Sequence, residues 1–151
     1  MTHTIDPVTD NSIGAVLPLL REYCDFYDVQ PTDEDLEQLC RTLANDPTEG
    51  IQFLARNGDG TAIGFATVFW SWSTLSAARI GVMNDLYVAP DARGAGVAEA
   101  LIDRCASAAR AHGASHLTWQ TALDNERAQK VYDRVGAVRE QWLDYSIDLS
   151  E

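Results

Sequence analysis

The sequence predicts a single α/β domain in which a mixed β-sheet carries helices on both faces. Three observations lead there. A chain of 151 residues with 46% hydrophobic and 23% charged side chains has the size and composition of one ordinary core. Two apolar stripes at helical spacing precede an alternating, β-branched hairpin. A later strand then turns through glycines straight into a helix, an order that lays helices against a sheet.

The elements follow in chain order. Ile13, Val16, Leu17, Leu20, Cys24 and Tyr27 recur at intervals of three and four, which marks an amphipathic helix. Pro18 fits a helix only in its first turn, so this one begins near Ala15 or kinks there. Thr32 and Asp35 form a weakened capping box ahead of Leu36, Leu39, Cys40 and Leu43, the stripe of a second helix. Residues 51–56 alternate as Ile51, Phe53 and Ala55, and residues 61–70 are rich in β-branched and aromatic types. Asn57, Gly58, Asp59 and Gly60 join them into a hairpin. A third strand is expected over 79–88, and a helix over 96–112 with Val97, Leu101, Cys105 and Ala108 on one face. Residues 116–121 read as a strand, 125–135 as a short helix closed by Gly136, and Val138 and 142–149 as terminal strands.

Composition excludes several functions. Eleven basic against 23 acidic residues give a net charge of −12, which repels a phosphate backbone and argues against nucleic acid as a partner. Between Asp10 and Glu49 ten acids stand against Arg21 and Arg41, so this segment carries −8 of the −12. It reads either as a collar for a cationic substrate or as a solvated pair of helix faces. Cys24, Cys40 and Cys105 lie on helix stripes without metal spacing and read as buried core residues; no metal site is expected. His3, His112 and His116 are scattered, and the GxSxG turn of serine hydrolases is missing. No stretch approaches the roughly 18 apolar residues of a membrane helix, and the first ten residues lack the pattern of a secretory leader. A cytoplasmic protein with no membrane partner is expected.

The most specific stretch is MNDLYVAPDARGAGVA, residues 83–98. A strand ending at Val88 passes through Arg93, Gly94, Ala95, Gly96, Val97 and Ala98 into a helix. Such a turn leaves backbone N–H groups at the positive end of the helix dipole, where small residues admit a phosphate. An ordinary glycine turn has the same spacing. The Walker loop needs GKS or GKT, and the dinucleotide fingerprint needs Gly or Ala where Glu99 stands, so both match poorly.

With NDLYVAP before it, RGAGVA resembles the acetyl-coenzyme A signature of the GNAT N-acetyltransferase superfamily, whose positions Arg93, Gly96 and Ala98 fill. WQTALDNERAQKVYDRVGA is similar to the next conserved stretch, with Asn125, Ala128 and Tyr132 at the family's spacing. More narrowly, EYCDFYDV, MNDLYV and the WQT to RVGA stretch resemble the yeast histone and polyamine acetyltransferases and their D-amino-acid relative, and more distantly diamine acetyltransferases. The resemblance covers nearly the whole chain. It implies a GNAT fold with a centrally splayed mixed sheet of about six to seven strands and about four helices on both faces. It also implies that acetyl-coenzyme A lies with its pantetheine arm along Leu86, Tyr87 and Val88, its pyrophosphate on the loop 93–98, and Asn125 and Ala128 beside the arm. Relatives commonly dimerise through C-terminal strands, so a homodimer is expected.

Direct acetyl transfer to an amine moves two protons, one off the ammonium and one onto the departing thiolate. Tyr132, a phenol with an ordinary pKa of about 10, fits the donor; on residue type alone it is equally a core aromatic. Asp85 is the nearest acid for the acceptor, with Asn84 beside it where the diamine relatives carry Glu. Orienting the ammonium and stabilising a strand bulge are its alternative roles. Trp70 and Trp72 offer aromatic faces to a cation, worth about 0.5–2 kcal/mol each, or pack in the core. Asp25, Tyr27 and Asp28 would form the opposing wall. The expected function is acetyl transfer from acetyl-coenzyme A to a small cationic primary amine, a polyamine or amino acid. A noncatalytic acetyl-coenzyme A sensor and an enzyme acting on protein lysines stand as alternatives.

Overall fold

The computed structural model describes residues 2–150. They divide into two compact units, one ending at Gln120 and the other beginning at Thr121.

The first unit opens with strand β1 (His3–Pro7) and helix α1 (Ile13–Phe26). Pro18 sits inside α1 rather than at its start, so the Gly14 carbonyl lacks its usual N–H partner there. Helix α2 (Asp33–Asn45) begins as its capping pattern predicts: Thr32 Oγ1 accepts the Asp35 N–H at 3.1 Å, and Asp33, Glu34 and Asp35 suit the positive end of the dipole. Strands β2 (Gly50–Asn57) and β3 (Ala62–Ser73) form the hairpin. Strand β4 (Ala78–Val88), a single 3₁₀ turn over Pro90–Ala92, helix α3 (Val97–Ala111) and strand β5 (His116–Thr118) complete the unit.

The sheet order is β1-β2-β3-β4-β5, antiparallel as far as β4, with β5 parallel to β4. Alternation along β2 assigns its faces. Leu54 joins Val16, Leu20, Cys24, Cys40 and Phe65 in the core beneath α1 and α2. Its neighbour Phe53 faces α3, where the Arg104 guanidinium lies 5.0 Å from its ring centroid. Both faces of the central strands are therefore buried, and helices cover both, as expected.

Three expectations need correction. Among the described residues the sheet has five strands, not six to seven, and β5 stops at Thr118 instead of continuing to Thr121. Residues 138 and 142–149 form no strand among the described residues. Their alternation is real, but a strand also needs a ladder partner, and Trp142, Leu143, Tyr145, Ile147 and Leu149 remain exposed. The second unit contains helix α4 (Glu126–Arg134), close to the predicted span.

Candidate active site

Strand β4 changes character along its length. Its first half pairs with β3 on one edge and with β5 on the other, but β5 contacts only Ile80, Gly81 and Val82. The β3 register steps from Thr67↔Asp85 to Val68↔Met83, so Asn84 is the extra residue of a β-bulge. Beyond it the ladder direction is set by the Ala89 N–H, which donates to the Ile63 carbonyl at 2.8 Å. Groups on alternate residues of an antiparallel strand point the same way, so Tyr87 and Asp85 address β3 while the Leu86 and Val88 N–H groups address the edge that β5 has left. That edge is a template for an extended chain.

The strand leads into a loop shaped by glycines. Gly94 (φ 87°) and Gly96 (φ 81°) both adopt left-handed backbone that side-chain-bearing residues disfavour. Gly96 is the N-cap of α3 and has no side chain with which to cap it, so the N–H groups of Val97 and Ala98 belong to an uncapped first turn. Arg93 ties the loop to the strand: its Nε–H donates to the Val88 carbonyl at 3.0 Å, and its guanidinium lies 5.9 Å from the Tyr87 ring centroid. An edge with unpaired backbone followed by N–H groups at a helix start fits a ligand with an amide-bearing arm and a phosphate.

Asp85 lies on the α1 face of this half-strand, 7% exposed. Burial pushes its carboxyl above the ordinary range, opposed by hydrogen bonds from Thr67 and from Asn84, whose Nδ2–H donates to Oδ1 at 2.7 Å. A raised carboxyl suits a proton acceptor working near neutral pH. Tyr23, which residue spacing did not single out, stacks edge-on to Phe65 and Tyr87 above this point. Its phenol is pushed up by burial first and then by the charge of Asp85. The thiols offer no nucleophile: burial raises Cys40 to about 11 and Cys105 to about 12, and raises Cys24 as well.

The other candidates fall into three groups. Asp25, Tyr27 and Asp28 lie at the exposed end of α1; Asp25 accepts the Gln30 Nε2–H at 3.2 Å, and Tyr27 packs 5.0 Å from Tyr23. Trp70 is engaged within the fold, whereas Trp72 is exposed. Trp70 stacks on His112 at 4.2 Å and donates its indole N–H to the Pro47 carbonyl, while the Arg79 guanidinium lies over Trp72. In the second unit, Asn125 caps α4 by accepting the Ala128 N–H at 3.2 Å, and Ala128 and Tyr132, four residues apart, share a helix face.

A sequence model of the acetyltransferase (GNAT) family matches residues 16–137. The chain belongs to the GNAT family. It is 30% identical over 123 residues to an uncharacterized N-acetyltransferase, YhfO, of Bacillus subtilis (strain 168), covering 82% of this chain and 81% of that one. It is 29% identical over 107 residues to the aminoglycoside N(6')-acetyltransferase type 1 of Stenotrophomonas maltophilia, covering 69% of each. The crystal structure of a probable acetyltransferase superposes with a TM-score of 0.84 at 29% identity, covering 98% of this chain and 99% of the other. This GNAT protein is an N-acetyltransferase, an acyl-transferring enzyme.

Proposed function

We propose that the enzyme transfers an acetyl group from acetyl-coenzyme A directly to a small cationic primary amine. The observation that carries the donor is the edge of β4 beyond Val82, continuous with the loop 93–98 and the uncapped start of α3. Leu86, Tyr87 and Val88 would hold the pantetheine arm through their backbone, and Gly94, Ala95, Gly96, Val97 and Ala98 the pyrophosphate, with Arg93 fixing the loop. Asn125 and Ala128 are assigned to the arm from the family motif.

Acetyl-coenzyme A supplies an activated thioester. The amine nitrogen attacks its carbonyl carbon as the C–S bond breaks. Asp85 takes the ammonium proton, directly or through one water, its raised carboxyl matching that task. An N–H near Leu86 is aimed where the carbonyl oxygen becomes negative. Tyr132 protonates the departing sulfur, and the second proton that the nitrogen loses on becoming an amide restores the phenol; the assignment rests on phenol chemistry and on its place in the motif. Asn84, bonded to Asp85, lies beside the acceptor.

The cationic acceptor is supported by the acidic end of α1, where Glu22, Asp25 and Asp28 lie close in sequence to Tyr27, and by the aminoglycoside N(6')-acetyltransferase among the relatives. The test is release of coenzyme A thiol across polyamines, aminoglycosides, D- and L-amino acids and a lysine peptide. Turnover with a small polyamine, aminoglycoside or amino acid, reduced in Tyr132→Phe, is expected. Saturable acetyl-coenzyme A binding without turnover on any amine would instead favour a sensor.

A further inference from the structure

Three polar side chains stand in a row across the middle of the sheet. The register pairs Gln52 of β2 with Thr67 of β3, and Thr67 with Asp85 of β4. All three are buried, at 2%, 0% and 7% exposure, on strands whose other inward positions include Phe53, Leu54, Phe65, Ala66 and Val68. Placing an amide, a hydroxyl and a carboxyl there is unfavourable unless their hydrogen bonds serve a purpose that apolar side chains would not.

The direction of the bonds follows from what each group can do. The Gln52 Nε2 lies 3.0 Å from Thr67 Oγ1, and an amide nitrogen only donates, so the hydroxyl oxygen accepts there. A hydroxyl has one proton; with its oxygen accepting from Gln52, the Thr67 hydroxyl keeps that proton for Asp85, its register neighbour on β4, whose other donor is Asn84. This orientation leaves the buried Gln52 Oε1 without a partner among the described residues. Turned over, the amide would present that oxygen to Thr67 and draw its proton away from Asp85. The orientation present therefore favours Asp85 over Gln52's own oxygen.

We propose that Gln52 and Thr67 are positioning residues for Asp85: Gln52 fixes the Thr67 hydroxyl, and Thr67 in turn holds the carboxylate in one orientation at the bulge. The functional meaning rests on the reading of Asp85 as the proton acceptor. The titratable groups on the overlying helices that feel the charge of Asp85 are Tyr23 and Cys24 from α1 and Cys40 from α2, all neutral near pH 7 because burial raises each. Burial raises the Asp85 carboxyl, and Thr67 and Asn84 oppose that rise.

The test is a carbon-13 carboxyl NMR titration of Asp85 in the full chain. Thr67→Val, which keeps shape and removes the proton, is expected to raise the midpoint by about one pH unit. Thr67→Ser restores it, and Gln52→Met gives a smaller rise because the hydroxyl is free to turn. An unchanged midpoint in Thr67→Val overturns the proposal and points to the turned-over amide. Should that variant not fold, Gln52→Met decides, a rise supporting the proposal and no change overturning it. The acid limb of kcat/KM, measured with whichever of tobramycin or spermidine turns over, separates the two readings. A limb that follows the midpoint supports both, whereas a midpoint that moves while the limb stays leaves the positioning pair intact and overturns Asp85 as acceptor.

Discussion

The two halves of β4 obey the same backbone geometry and do different things. From Ile80 to Val82 the strand is paired on both edges, and Gly81 is there because Trp70, Leu117 and Val68 leave only 3.1–3.2 Å for a Cβ. From Asp85 to Val88 it is paired by β3 alone among the described strands, carries a buried carboxyl, and runs into a loop whose glycines bend the backbone toward an uncapped helix. Close packing belongs to the first half, and unsatisfied backbone to the second. A single bulged residue separates them. Binding and chemistry are expected where pairing has been withheld, because only there do backbone donors remain for a substrate.

The contrast is broken most severely at Asp85. Asp85→Asn is expected to lower kcat by about two orders of magnitude with little change in acetyl-coenzyme A affinity, checked by steady-state kinetics and calorimetry. Its effect on stability has the opposite sign. A carboxyl whose folded pKa is raised holds its proton more tightly in the folded state, so stability falls as pH rises from about 4 through the folded value. Urea midpoints across pH should show that fall in the parent and a flatter profile in Asp85→Asn.

Gly94→Ala and Gly96→Ala come next. Each forces a side chain into a left-handed conformation, at about 1–2 kcal/mol of stability, although neither new Cβ meets a close neighbour. Acetyl-coenzyme A affinity is expected to weaken about tenfold as the loop relaxes. Gly81→Ala sharpens the comparison from the other side: neighbours must yield by a few tenths of an ångström, lowering stability by about 1 kcal/mol in urea unfolding while leaving acetyl-coenzyme A affinity unchanged. The smallest effect is at the acidic end of α1. Asp28→Asn keeps a residue type that tolerates φ 56° and is expected to raise KM for a cationic acceptor about twofold to fivefold, an effect that added salt erases.

How much of this was legible depends on which interactions are local. The stripes of α1 and α2, the Thr32 cap and the glycine turn into α3 are short-range patterns, and each element appears within a few residues of its expected place. The Gln52–Thr67–Asp85 row was not visible, because register between strands is written in no single strand. The alternation Ile51, Phe53, Ala55 assigns Gln52 to the solvent side, whereas helices bury both faces of β2. The available signal was a polar residue inside each of three apolar runs, Gln52 and Thr67 alone in theirs and Asp85 beside Asn84. The sequence leaves Trp70 and Trp72 open between aromatic faces for a cation and core packing; the structure stacks Trp70 on His112, far along the chain, and sets Arg79 of the paired strand over the exposed Trp72. At the C-terminus, alternation identifies a face but not a partner, and residues 142–149 carry the pattern without the ladder.

The most direct test of the difference within β4 is a backbone amide NMR titration with acetyl-coenzyme A. Saturable shifts are predicted at Leu86, Val88, Gly94, Gly96, Val97 and Ala98, with Ile80, Gly81 and Val82 nearly still. Shifts centred on Ile80 to Val82, or no saturable shifts along Leu86 to Ala98, would contradict the account.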